Sequence, residues 1–169
     1  MRKNITFFPL GNADTSLIEL SNDKVILIDF ANMKDMSNPS DKRCDLPKEL
    51  NKRIEKSSFD TVCFTHLDED HIKGSTEYFH LDFAKKYQEG NRKKIKELWA
   101  PAAAIIESKP EGEASILQKE LRYRFRNNYG VKVFSKPQVL KDWCKKNGID
   151  FEKRKHLVVD AGKVVKTFT

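Results

Sequence analysis

The run Val62-Cys63-Phe64-Thr65-His66-Leu67-Asp68-Glu69-Asp70-His71 constrains this chain more than any other stretch. A short apolar segment gives way abruptly to four side chains able to ligate a metal: His66, Asp68, Asp70 and His71. Strand alternation cannot account for them, because Asp70 and His71 are adjacent and would point to opposite faces. A tight loop at a strand end can turn all four toward one point. Imidazole nitrogen and carboxylate oxygen are the ligand types that hold zinc, and manganese or iron in related sites. So many ligands from so short a segment exceed what one small ion takes. The spacing suits half of a two-metal site, with His66 and Asp68 on one ion and Asp70 and His71 on the other. The competing reading is an acidic, solvated loop with two incidental histidines.

The chain leading to this loop reads as β-structure. Ile5 to Leu10 is apolar and β-prone and ends at the turn Gly11-Asn12. Leu17 to Leu20 reads as a second strand, Asn22-Asp23 as a hairpin turn, and Val25 to Phe30 as a third strand. The third is continuously apolar, as expected of a strand covered on both faces. Residues 31–47 read as a long surface loop. Asp45 is a candidate N-cap and Pro47 a first-turn residue for a helix to about Lys56, with Leu46, Leu50 and Ile54 on its buried face. Phe59 to Phe64 is then the strand that delivers the metal loop. Strand, helix, strand in this order implies a parallel crossover and an α/β fold.

Beyond Gly74, Ser75 to Tyr87 reads as a helix carrying Tyr78, Phe79, Phe83 and Tyr87, and Gln88 to Lys96 as a polar loop. His80 has no second ligand type beside it and is not expected to hold metal. Leu98 to Pro101 reads as a short strand. Glu113 to Tyr129 is the clearest helix of the second half, terminated by Gly130. Val131 to Phe134 is a strand, and a last helix runs through Trp143 and Cys144 to Asn147-Gly148.

At 169 residues the chain can bury one core, and nothing requires a second domain, so 1–169 is expected to be one. No apolar run approaches the ~20 residues that span a bilayer, and Met1-Arg2-Lys3 leads straight into a strand rather than a signal-peptide core. Three cysteines, Cys44, Cys63 and Cys144, are too few and too scattered for a disulfide framework. The expectation is a cytoplasmic protein away from membranes. Net charge is +7, unevenly spread: residues 1–79 carry 11 Lys/Arg against 14 Asp/Glu, and residues 80–169 carry 21 against 11. A basic half beside an acidic metal loop would steer an anionic small molecule or a nucleic acid toward the metals, although lysines that merely solvate helix faces explain the same count. Arg122, Arg124 and Arg126 interleave with Tyr123 and Phe125, a pattern that can bind single-stranded nucleic acid, and one that an amphipathic helix also produces.

Thr65-His66-Leu67-Asp68-Glu69-Asp70-His71-Ile72-Lys73-Gly74 resembles the His-x-His-x-Asp-His signature of the metallo-β-lactamase superfamily. It is similar to the subgroup in which an Asp replaces the second His, as in the hydrolase-like domain of bacterial DNA-uptake channel proteins. Asp68 stands at the substituted position and Gly74 where the family closes the loop. The segments Phe7 to Leu20 and Val25 to Asp29 resemble the family's opening strands, and Leu98 to Pro101 its next sheet position. The resemblance implies that Asp29 supports the metal loop by hydrogen bonds without touching the ion. Asp14, in the turn before, could face the same pocket or be an ordinary turn residue.

The family completes its two-ion zinc site with a further His, a bridging Asp and a last His from later strands. Only His156 and Asp160 stand near a late strand here, outside the family's usual context. The resemblance therefore covers the N-terminal half of an αββα sandwich, and the chain reads as incomplete at its C-terminus. A C-terminal half, a partner chain or self-association would complete it.

Three functions follow. The first is metal-dependent hydrolysis with Asp70 as the catalytic carboxylate, active only in a completed assembly; Asp68, replacing a neutral ligand, would favour harder ions such as manganese. The second is a non-catalytic nucleic-acid-binding module, and the third a protein-interaction subunit in a bacterial defence or DNA-handling system.

Overall fold

The structure, a computed structural model, describes residues 3–135, 137–160 and 162–165. The fold is α/β, built on one seven-stranded mixed sheet whose spatial order repeats the chain order. Strands β1 (Asn4–Phe7), β2 (Ser16–Glu19) and β3 (Val25–Ile28) form an antiparallel meander. From β3 onward β4 (Ser58–Cys63), β5 (Lys94–Pro101), β6 (Val131–Phe134) and β7 (Val158–Val159) add in parallel. The β2–β3 turn forms where expected: Asp23 takes a left-handed conformation (φ 61°), and the Asn22 side chain accepts from Lys24 N–H at 3.3 Å.

Six helices join the parallel strands: α1 (Leu46–Arg53), α2 (Glu69–Ile72), α3 (Ser75–Tyr78), α4 (Ala102–Ile106), α5 (Gly112–Asn127) and α6 (Pro137–Lys146). The N-cap of α1 is Asp45, whose carboxylate accepts from Lys48 N–H at 3.2 Å, and Leu46 and Leu50 are fully buried. The helix stops at Arg53 rather than near Lys56, because Ile54 turns to extended backbone and tucks into the core.

Two other expectations fail in informative ways. The helix expected over Ser75 to Tyr87 ends at Tyr78. Tyr78, Phe79 and Leu81 are all buried, and a one-faced helix cannot bury so close a set. Phe79 instead leaves as extended chain and bridges to Lys93, with His80 N–H donating to Lys93 O at 2.9 Å, and only a 3-10 turn at Lys85–Tyr87 follows. That pairing also draws the end of the expected polar loop into β5, which starts at Lys94 with Ile95 buried and Lys96 exposed. The end of α5 comes one turn before Gly130: Asn128 takes the left-handed cap (φ 65°) and its N–H returns to Arg124 and Phe125 carbonyls.

Because the parallel strands step in one direction across the sheet, right-handed crossovers put their helices on one face. The register displays the result. The row Leu17, Leu27, Val62, Leu98, Val131 is buried at every position, in one core with Leu50, Leu117, Leu121, Phe125 and Leu140. The neighbouring row Phe7, Ser16, Ile28, Cys63, Trp99, Lys132 is buried at none. Phe7 is 77% exposed and Ile5, on the same face, 62%. The second face of the sheet is thus largely uncovered, with many apolar groups. Among the described residues no helix is long and apolar enough to cross a membrane.

Candidate metal centre

The loop after β4 leaves the sheet at the C-terminal end of a parallel strand, where neighbouring strand ends in α/β sheets form a crevice. Its anchor is Asp29, the residue just past β3. Asp29 adopts a left-handed conformation (φ 56°) unusual for a side chain with a Cβ, and its N–H donates to Cys63 O at 2.8 Å. Strain of this kind persists where the surroundings over-determine it. Here the carboxylate, 3% exposed, accepts from Thr65 N–H at 2.7 Å, from Thr65 Oγ1 at 2.7 Å and from His71 Nδ1 at 2.9 Å. Burial, and then the Asp29 charge, push the nearby Cys63 thiol up to about 11, which keeps it protonated and unreactive at neutral pH.

Donor counting sets both imidazole tautomers. An ionised carboxylate only accepts, so His71 carries its proton on Nδ1. The single Thr65 hydroxyl proton goes to Asp29, so toward His66 Nδ1, 3.1 Å away, Thr65 accepts. In its neutral form each histidine then presents its Nε2 lone pair. His66 Nε2 lies 3.6 Å from Asp68 Oδ2, and His71 Nε2 lies 3.6 Å from Asp70 Oδ2. The two rings lie 3.6 Å apart, so the two pairs abut.

His66, Asp70 and His71 each offer a ligand atom within 4.8 Å of the others. With both imidazoles neutral, lone pairs and carboxylates converge with no donor between them, an arrangement that a cation relieves. Ligands about 2.1 Å from a tetrahedral ion stand about 3.4 Å apart, and each His–Asp pair stands at 3.6 Å, so the spacing suits a divalent cation without selecting one. The expected halves, His66 with Asp68 and Asp70 with His71, are therefore adjacent. Asp68 lies outside the tight triad and is 77% exposed; it begins α2 as N-cap without bonding any backbone N–H, so its carboxylate stays available.

The backbone of α2 sets the spacing of the second pair by placing Asp70 and His71 on successive residues. Phe30 N–H donates to His71 O at 2.9 Å and Asn32 N–H to Lys73 O at 2.8 Å, stitching α2 to the extension of β3. Gly74 then takes φ 77°, where a Cβ would meet Asn32 Cβ at 3.4 Å, so the loop closes on the only residue that fits without strain. Two further groups at this site carried no assignment from the sequence. Thr65 has a signal in its place beside His66. Glu113 accepts from Gly74 N–H and has none, since it comes 39 residues later.

The remaining candidates lie elsewhere. His156 is exposed in a 3-10 turn at Glu152–Leu157, its carbonyl taken by Lys132 Nζ at 2.8 Å. Strand β7 stands three strands from β4, about 14 Å across the sheet, so neither His156 nor Asp160 joins the loop's cluster. Asp14 is exposed and also apart from it. His80 faces Asp82 at 3.3 Å instead of the metal loop.

Nor do the interleaved arginines make a cationic stacking face, because alternate residues on a helix diverge by about 200°. Arg124 is 2% exposed and consumed internally, while Arg122 donates to Ile105 O at 2.9 Å and Glu107 O at 3.1 Å. Arg126 alone of the three is exposed.

Neither a scan against protein-family models nor a search of the curated proteins gives a match to this chain.

Proposed function

We propose that this chain carries the metal-binding loop of a hydrolase resembling the metallo-β-lactamase superfamily. His66, Asp68, Asp70 and His71 would hold zinc, or manganese or iron, with room for two ions once further ligands arrive. The observation that carries the reading is the convergence of the His66 and His71 Nε2 atoms on two carboxylates while each Nδ1 is engaged by Thr65 or Asp29. A divalent ion bound here supplies a Lewis acid that polarises a substrate oxygen and acidifies water. Asp29 keeps His71 in its ligating tautomer, and Thr65 does the same for His66. Asp70, 48% exposed and without a hydrogen bond among the described residues, would be the carboxylate that takes up a proton from water at the centre.

The open sheet face supports the second half of the proposal. That face carries Phe7, Ile18, Ile28, Trp99 and Phe134 among Ser16, Glu97 and Lys132, a largely uncovered surface with many apolar groups. A second β-layer from a C-terminal half, a partner chain or another copy would cover it as two sheets of a sandwich pack. Ligands missing from the loop would arrive with that layer. The excess of cations after residue 80, 21 against 11, favours an anionic substrate such as a phosphodiester.

The test begins with the ion. Metal retained after desalting, and the shift in melting temperature on adding zinc or manganese, are measured for the parent chain, Asp70→Ala and His71→Ala. Stoichiometric retention and stabilisation in the parent, about 2.7 kcal/mol with free metal at a hundred times Kd, and loss of both in the variants are expected. A chain that stays metal-free in saturating zinc and manganese removes the proposal.

A further inference from the structure

Asp29 ties down one end of the metal loop; a second carboxylate holds the other. Glu113, in the first turn of α5, accepts from Gly74 N–H at 2.7 Å, from Thr76 N–H at 3.1 Å and from Thr76 Oγ1 at 2.6 Å. These donors need it. The start of α3 is Gly74, which has no side chain to cap the N–H groups of the first turn, and no local side chain replaces it.

The two clamps divide the work. His66 is held through Thr65 and His71 through its own Nδ1, both back to Asp29. The Asp70 carboxylate has no such tether among the described residues: His71 Nε2, at 3.6 Å, lies beyond hydrogen-bonding distance. Where Asp70 points is therefore set by the path of α2, which Phe30 N–H and Asn32 N–H hold on the β3 side and which Glu113 holds just past its C-terminal end, at Gly74.

We propose that Glu113 is a positioning residue for the metal centre, fixing Asp70 against the two imidazoles by clamping Gly74 and Thr76 to α5. The inference rests on the metal reading above and adds to it a residue that touches no ligand. Glu113 serves as the acceptor that keeps α2 from pivoting about Gly74, so it acts on affinity and coordination geometry more than on whether the chain folds. Removing a partner bonded directly to a ligand lowers metal affinity about 10- to 100-fold; Glu113 acts one step further out, so the low end of that range is expected.

The experiment compares the parent chain, Glu113→Gln and Gln118→Ala. The last loosens α5 at a different place, where Gln118 Nε2 donates to Ala104 O and Glu107 O. Zinc affinity is read by competition with a chromophoric chelator, coordination by the visible spectrum of bound cobalt, and stability by thermal melting. Glu113→Gln preserves size but, in either orientation of the amide, turns an NH2 toward a backbone N–H, that of Gly74 or that of Thr76. It is expected to weaken zinc about 10-fold and to alter the cobalt bands, whereas Gln118→Ala lowers the melting temperature and leaves both unchanged. Parent-like affinity and spectrum in Glu113→Gln, or the same losses in Gln118→Ala, overturn the proposal. If Glu113→Gln does not fold, Thr76→Val decides: a several-fold weaker affinity supports the clamp, and an unchanged one overturns it. A parent chain that binds neither zinc nor cobalt takes down the metal reading itself, an outcome distinct from a parent that binds and a variant that does not care.

Discussion

Two polar networks of the molecule each include an Asp–His pair, Asp29–His71 and Asp82–His80, and they end differently. Around Arg124 everything is satisfied. Its Nε donates to Glu120 at 2.6 Å, one terminal nitrogen to Ile95 O and Gly130 O at 3.0 and 3.1 Å, and the other to Asp82 at 3.0 Å. The second Glu120 oxygen accepts Phe83 N–H at 2.9 Å, and Asp82 also meets Tyr129 OH at 3.1 Å and His80 at 3.3 Å. Donors and acceptors balance, and the network closes on itself, locking the 79–83 segment and the start of β6 onto α5. Around Asp29 the balance fails at the outer edge. The inner bonds to Thr65 and His71 are made, but they leave two imidazole lone pairs and two carboxylates unanswered. Burial alone does not distinguish structure from site; the leftover valence does.

Three measurements press on that distinction. The largest effect belongs to Arg124→Met, which strands Glu120, 0% exposed, without its cation. The loss is expected to be about 3–5 kcal/mol by denaturant unfolding, and in whatever fraction still folds, zinc affinity should be that of the parent. Equal damage to zinc binding would mean that the two networks are one. Asp29→Asn comes next: an amide keeps one acceptor oxygen and puts an NH2 donor in place of the other, so the His71 tautomer loosens. Zinc affinity should fall about 10- to 100-fold, read by chelator competition, with the cobalt spectrum altered. A parent-like value would return Asp29 to a purely structural role. The smallest effect is Tyr129→Phe, which removes one of three partners of Asp82 and should cost about 1 kcal/mol in thermal or chemical unfolding, with no change at the metal loop.

The contrast also explains which parts were legible in the chain. His66, Asp68, Asp70 and His71 announce themselves because ligand-type residues crowd a strand end; His66, Asp70 and His71 converge in the fold, with Asp68 beside His66 but outside that triad. Asp29, at the end of β3, is legible by resemblance, and the loop's backbone and side chains do reach it. Arg124 is misread: beside Arg122 and Arg126 it looks like part of a cationic face, and only helical geometry together with the partners Glu120 and Asp82 turns it inward. The broken helix after Tyr78 is misread for the same reason, since its aromatic spacing suits a helix until Phe30 and Phe59 stack on it from distant strands.

Local order along the chain sufficed for the strand at Val62, the turn at Asn22-Asp23, the cap at Asp45 and the ligand cluster, because each depends on neighbours a few positions away. Tertiary structure alone decided that Glu113 reaches back to Gly74, that Arg124 is consumed within the core, and that one face of the sheet stays open while the other is filled. Those outcomes depend on which surfaces meet across dozens of residues, and no spacing within the chain encodes a partner that arrives from so far away.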